Sequence, residues 1–165
     1  MIKMSKLDKK ACLILNLLQQ DCRMSFTDIA EKVGLSVDSV KKRISKMKQD
    51  GIFYPKVQLR PRHFGFPNLM DVRIKLHNYT SEELNDFVEY LRDEPKVAEA
   101  FSLSGEWDFA LVMLSKDADD LVLMSNKIRD KFSKIINTWS SSLTTRAWKF
   151  EDYDMLKLMG YDQEE

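Results

Sequence analysis

Five cations recur between Val37 and Gln49: Lys41, Lys42, Arg43, Lys46 and Lys48. They interleave with the apolar Val37, Val40, Ile44 and Met47, whose three- and four-residue spacing turns one face of a helix toward a core. Asp38, Ser39, Lys41, Lys42, Arg43, Lys46 and Lys48 then fall on the opposite face. Such a face suits a groove lined by phosphates, because cations neutralise backbone charge and Arg or Lys can pair with guanine O6 and N7. Arg43 and Lys46 are the candidates for base reading, although long cationic side chains more often meet phosphate. Asp38 either accepts from cytosine N4 or favours the positive end of the helix dipole. Ser36, which opens the helix, and Asp38, Ser39, Lys41, Lys42, Arg43 and Lys46 form the candidate DNA-contacting set.

Other chemistries find less support. Cys12 and Cys22 lack Cys-x-x-Cys spacing and lie far in sequence from His63 and His77, so no metal site is expected and buried free thiols are the reading. No Ser/His/Asp set and no glycine-rich phosphate loop appears, so no catalytic residue and no cofactor is expected. No apolar run nears the roughly 18 residues that cross a bilayer, and the N-terminus is charged, so a soluble cytoplasmic protein without a membrane partner is expected. The 165 residues carry no net formal charge, yet residues 1–65 carry +8 and the remainder −8. A basic half that neutralises phosphates, joined to an acidic half that avoids them, fits a DNA-binding module coupled to a regulatory one.

Three helices must position the cationic face. Asp8 is placed as the N-cap of a helix to Gln20, with Leu7 before it as a hydrophobic staple and Ala11, Ile14, Leu15 and Leu18 at helical spacing. Ser25 precedes Phe26, Ile29, Ala30 and Val33, a short helix that Gly34 ends. Ser36 caps the cationic helix, and Gly51 ends it. The small Ala30 at the crossing and the permissive Gly34 in the turn are what a helix-turn-helix requires. Residues 1–51 are therefore read as a helix-turn-helix DNA-binding domain.

Residues 52–67 turn extended and turn-rich, an edge strand or linker in which Pro55 excludes a central strand. Val72–Leu76 alternates as a strand. Leu84, Phe87, Val88 and Leu91 read as a helix stopped by Pro95. Val97–Leu103 and Phe109–Leu114 form a hairpin around Ser104–Asp108. Leu121, Met124, Ser125, Ile128 and Phe132 make a further helical stripe, and 135–150 holds the last extended segment. The predicted fold class is α+β: the helical domain joined to a βαββαβ ferredoxin-like domain over 68–150. Residues 151–165 form an acidic extension, either weakly ordered or a short helix through Tyr153, Leu156, Leu158 and Met159.

Several stretches together resemble a known family: Leu7-Asp8, Ile29 through Ser36, Val40 through Ile44, Gly51-Ile52, Leu59-Arg60-Pro61 with Phe64-Gly65-Phe66, the hairpin Ser102 through Phe109, and Thr144-Thr145 in the final strand. From Leu7 to about Phe150 the chain resembles the leucine-responsive/asparagine-C (Lrp/AsnC) transcription regulators of bacteria and archaea. The resemblance implies a homodimer formed through the C-terminal sheets and assembled into a higher oligomer, acting in the cytoplasm on the nucleoid. It also implies an amino-acid effector bound between dimers beside the Gly-x-x-Asp hairpin. Asp108 would meet the ammonium, backbone N–H groups around Gly105 the carboxylate, and Trp107 would wall the side chain, unless Asp108 only fixes the hairpin. Ser104, Glu106, Thr144 and Thr145 complete the candidate effector set. Glu106 points to a cationic or polar effector such as lysine or arginine. Two alternatives accompany this reading: an effector-independent architectural DNA-binding protein, and an enzyme similar to the siroheme decarboxylases, whose His- and Tyr-rich hairpin this chain lacks.

Overall fold

The computed structural model describes residues 7–161. They divide into two compact units, one formed by the residues up to Gln58 together with those from Lys149, the other spanning Leu59–Trp148.

The first unit is built on α1 (Lys9–Gln20), α2 (Phe26–Val33) and α3 (Val37–Gln49). Each opens on a side-chain cap, at Asp8 and Ser36 as predicted: Asp8 accepts from the Ala11 N–H, Ser25 from that of Asp28 and Ser36 from that of Ser39. These oxygens satisfy N–H groups that have no partner within a helix's first turn. Gly34 ends α2 at φ 65°, a left-handed conformation that glycine adopts without steric cost. Ala11, Ile14 and Leu15 pack with Ile29, Ala30, Val33, Val40, Ile44 and Met47 as one buried cluster. Cys12 lies in that cluster, where burial pushes its thiol pKa up. Cys22, expected to be buried, is exposed. It follows the end of α1 at Asp21, outside the helical periodicity that turns side chains inward. Residues 52–67 do not form the edge strand, one of their two readings. They contain no strand, only a short 3-10 turn at Pro61–His63.

The second unit runs β1 (Asn68–Leu76), α4 (Ser81–Asp93), β2 (Val97–Ser102), β3 (Phe109–Ser115), α5 (Ala118–Lys131) and β4 (Ile136–Leu143). Its sheet has the order β2-β3-β1-β4 with every neighbouring pair antiparallel, the split βαββαβ arrangement of the predicted α+β class. Along β1 the buried Met70, Val72, Ile74 and Leu76 alternate with half-buried residues, so one face of the sheet carries the core. Phe87 of α4 fills its centre, edge-on to Phe109 at 5.3 Å and to Phe132 at 4.9 Å. Truncating so buried an aromatic costs about 3–5 kcal/mol. A capping box between Thr80 and Glu83 starts α4. The Thr80 backbone N–H and then its hydroxyl hold the Glu83 carboxyl below its ordinary pKa.

The C-terminal segment joins the helical unit. A four-residue helix, α6 (Met155–Leu158), lies against α1. Asn16 accepts from the Met155 N–H at 2.8 Å and donates to Asp154 at 3.1 Å, while Gln19 exchanges two hydrogen bonds with the Tyr153 backbone at 2.8 and 2.9 Å. The Tyr161 hydroxyl donates to the Leu7 carbonyl at 2.8 Å. Met155, Leu156 and Tyr161 add apolar surface to the helical core. The short helix is thus the outcome for 151–165 as far as Tyr161, and 162–165 lie outside the described residues.

Candidate nucleic-acid interface and effector hairpin

Burial of Val40, Ile44 and Met47 sets which way α3 faces. At 100° per residue the arc opposite those three carries Asp38, Lys42, Ser45, Lys46 and Gln49, all exposed, with Lys41 and Lys48 exposed on one flank. Lys41 and Lys42 stand on the outward side as expected. Lys46 also does, leaning along the helix to an ion pair with Asp50, and the Lys48 ammonium sits 5.9 Å from the centre of the Phe53 ring. Asp38 is exposed in the first turn and Ser39 is half-buried. The Ser36 hydroxyl is spent on its cap, 3.2 Å from the Ser39 nitrogen.

Arg43 departs from expectation. It lies on the opposite flank from Lys41 and Lys48, half-buried, and its Nη1 donates to both oxygens of Asp8 at 2.9 and 2.8 Å. Ser45 and Gln49 were not singled out from the sequence. A search for charge passes over neutral polar residues, whereas their angular position opposite Val40 and Ile44 is readable from periodicity alone.

The hairpin between β2 and β3 is held by Asp108 through four bonds. Its N–H donates to the Ile74 carbonyl at 3.0 Å and its carbonyl accepts from Leu103 at 2.8 Å. One carboxylate oxygen accepts from the Leu76 N–H at 2.7 Å, and the other meets the Lys75 ammonium at 3.2 Å. The carboxylate therefore ties the hairpin to the end of β1, the fixing role left open by the sequence. Gly105 has φ 138°, and a Cβ built there meets no atom within 4 Å. Ser104 and Glu106 are exposed and Trp107 is half-buried.

Thr144 and Thr145, expected in the final strand, follow it, since β4 ends at Leu143. The Thr144 N–H still reaches the Leu69 carbonyl at 2.8 Å, but Pro67, just before β1, has no N–H with which to continue the ladder. Thr144 is thus anchored at the Leu69 end of β1, and the hairpin at the Ile74–Leu76 end. Five to seven residues of strand separate them, roughly 17–23 Å. Within one chain the structure does not bring the two halves of the candidate effector set together. Among the described residues no group of three or more His, Cys, Asp or Glu is placed to hold a metal ion, and no helix is long and apolar enough to cross a membrane.

A family model of AsnC-type helix-turn-helix domains matches residues 4–48, and a model of Lrp/AsnC ligand-binding domains matches residues 71–150. The chain belongs to the Lrp/AsnC family. It is 34% identical over 109 residues to the DNA-binding transcriptional activator DecR of Escherichia coli K12, covering 66% of this chain and 70% of that protein. It is 31% identical over 124 residues to the transcriptional regulator LrpA of Pyrococcus horikoshii, covering 74% and 86%. The crystal structure of an AsnC family transcriptional regulator from Agrobacterium tumefaciens superposes with a TM-score of 0.83 at 27% identity, covering 93% of this chain and 99% of that one. A Neisseria meningitidis transcriptional regulator crystallised with L-Met has the same fold, with a TM-score of 0.80 at 23% identity and coverage of 93% and 99%. The chain is a DNA-binding transcription regulator of this family, with a helix-turn-helix domain and a ligand-binding domain.

Proposed function

We propose that this regulator places α3 in the major groove, with Lys41, Lys42 and Lys46 on phosphates and Asp38, Ser39, Ser45 and Gln49 toward the base edges. The observation that carries the reading is the outward arc of α3, polar at its centre and cationic around it, on a helix capped by Ser36 behind the Gly34 turn. The DNA-binding function is assigned to residues 1–51, with 52–67 as linker, and the effector and assembly functions to 68–150. The working form is a homodimer able to assemble further, in the cytoplasm on the nucleoid. Two α3 helices about 34 Å apart then span successive major grooves of a pseudo-palindromic site.

The effector is an amino acid. Its carboxylate meets the backbone of the Ser104–Gly105–Glu106 turn and its side chain meets Trp107, while Asp108 shapes the turn. Thr144, anchored at the far end of β1, and the adjacent Thr145 reach such a ligand from a second copy of the chain, as a site between dimers requires. Ligand binding then shifts which assembly is populated by its differential affinity for the two.

Calorimetric titration of the full chain with the twenty amino acids, L-methionine among them, tests the effector half. Binding of at least one that also shifts the assembly state in sedimentation supports it, and silence from all twenty refutes it. Footprinting tests the DNA half. Protection of paired half-sites about one helical turn apart is expected, whereas long tracts without preference indicate an architectural protein.

A further inference from the structure

The first turn of α1 holds both helices of the helix-turn-helix. Asp8 caps α1 through the Ala11 N–H at 2.8 Å and with the same carboxylate takes two bonds from Arg43 on α3, 35 residues along the chain. Lys10, two positions on, donates to the carbonyl of Val33, the last residue of α2 before the Gly34 turn. Side chains of one helical turn thus grip the end of α2 and the middle of α3. Ala11 and then Arg43 hold the Asp8 carboxyl below its ordinary pKa, in keeping with an ionised partner.

We propose that Arg43 is a positioning residue rather than a DNA contact: paired with Asp8, it fixes the rotation of α3 about its own axis and so sets which side chains face the groove. This rests on the reading of α3 as the recognition helix. Arg43 sits off the outward arc, on the flank opposite Lys41 and Lys48. Moving its guanidinium to a phosphate would leave the Asp8 carboxylate unpaired beside a polyanion, exchanging one charge-assisted pair for another while adding a repulsion. Lys41 and Lys42 supply charge to DNA without that exchange. A guanidinium is suited to the clasp because its planar fork loses little freedom on pairing.

The experiment uses the full chain and a fluorescein-labelled 40-base-pair duplex that the wild-type protein selects from a random pool, with a scrambled duplex for comparison, titrated across a range of salt. Arg43→Ala is expected to lower affinity for the selected duplex about 5–10-fold and to leave the scrambled duplex unchanged. The slope of log affinity against log salt should stay at its wild-type value. Asp8→Asn, which retains a capping oxygen, should weaken selective binding in the same direction, and the double variant should be no worse than the poorer single one. A slope shallower by about 2 in Arg43→Ala, one contact from each subunit of the dimer, identifies a phosphate contact and overturns the proposal. So does tighter binding by Asp8→Asn, which would mean that Asp8 competes with DNA for Arg43, or unchanged selectivity in both variants. If Arg43→Ala does not fold, Asp8→Asn carries the test, since the two readings predict opposite signs. Lys42→Ala is the separate check on α3 itself. Its slope should fall by about 2, one contact from each subunit, and an unaltered slope and affinity there would defeat the recognition-helix reading whatever Arg43 does.

Discussion

α3 and the Ser104–Asp108 hairpin both present charged residues that sequence spacing nominates for ligand contact, yet they use that charge in opposite ways. On α3 most of the cations stand clear of the core on an exposed arc, and Arg43 is the charge drawn back into the scaffold, by Asp8. In the hairpin one of the two nominated carboxylates, Asp108, is engaged by the Leu76 N–H and the Lys75 ammonium, and the exposed groups are the turn backbone, Ser104 and Glu106. A helix surface has more polar positions than its caps and neighbours can consume. A tight turn has few, and its carboxylate is recruited to satisfy backbone donors that burial would otherwise leave unmet.

Four perturbations break or sharpen that contrast. The largest effect should come from replacing both Lys41 and Lys42 by Ala, which removes four cations from the dimer: a salt slope shallower by about 4 and affinity on the order of 1,000-fold weaker at 0.1 M salt. Anisotropy titration measures both, and the thermal transition of the protein should not move. Next, Asp108→Ala should destabilise the protein by about 1–3 kcal/mol in urea unfolding without any effector present, because the Leu76 N–H loses its acceptor. Asp108→Asn should recover most of that loss, and a fully stable Asp108→Ala would return the carboxylate to the ligand. Ser36→Ala should cost about 1 kcal/mol through the α3 cap and weaken DNA binding only to that extent.

The smallest effect concerns acid. Asp8 titrates below the ordinary carboxylate value of 3.8 in the folded protein. Its contribution is therefore fully present above pH 3.8 and is lost as pH falls through the lower folded value. Asp120, lowered chiefly by Lys96, and Asp154, lowered chiefly by Asn16, act in the same direction. Melting curves from pH 6 downward should show Asp8→Asn losing less stability on acidification than the wild type.

Most of the fold could be read in advance because its signals are local. Asp8, Ser25, Ser36 and Gly34 act within one helical turn of themselves, and alternation along Val72–Leu76 needs no partner to be seen. Element ends were less legible. β1 begins at Asn68 and β4 stops at Leu143 because ladders extend only as far as the neighbouring strand offers donors and acceptors. The seat of the C-terminal segment was hidden for a related reason. Its Met155 N–H donates to Asn16 and its Tyr161 hydroxyl to the Leu7 carbonyl, and no short-range pattern encodes such pairings.

The site divides along the same line. Residue order alone determined which helix would be cationic, where it would start and stop, and which of its faces would be buried, since 3.6-residue periodicity and capping are properties of adjacent residues. Tertiary structure decided how the charges are spent. Arg43 was indistinguishable from Lys42 until α1 brought Asp8 beside it. For Asp108, it was β1 that placed the Leu76 N–H 2.7 Å from its oxygen, a contact that residue order does not show. A charged side chain's role depends on the nearest group of opposite polarity in space, and for both residues that group lies more than thirty positions away in the chain.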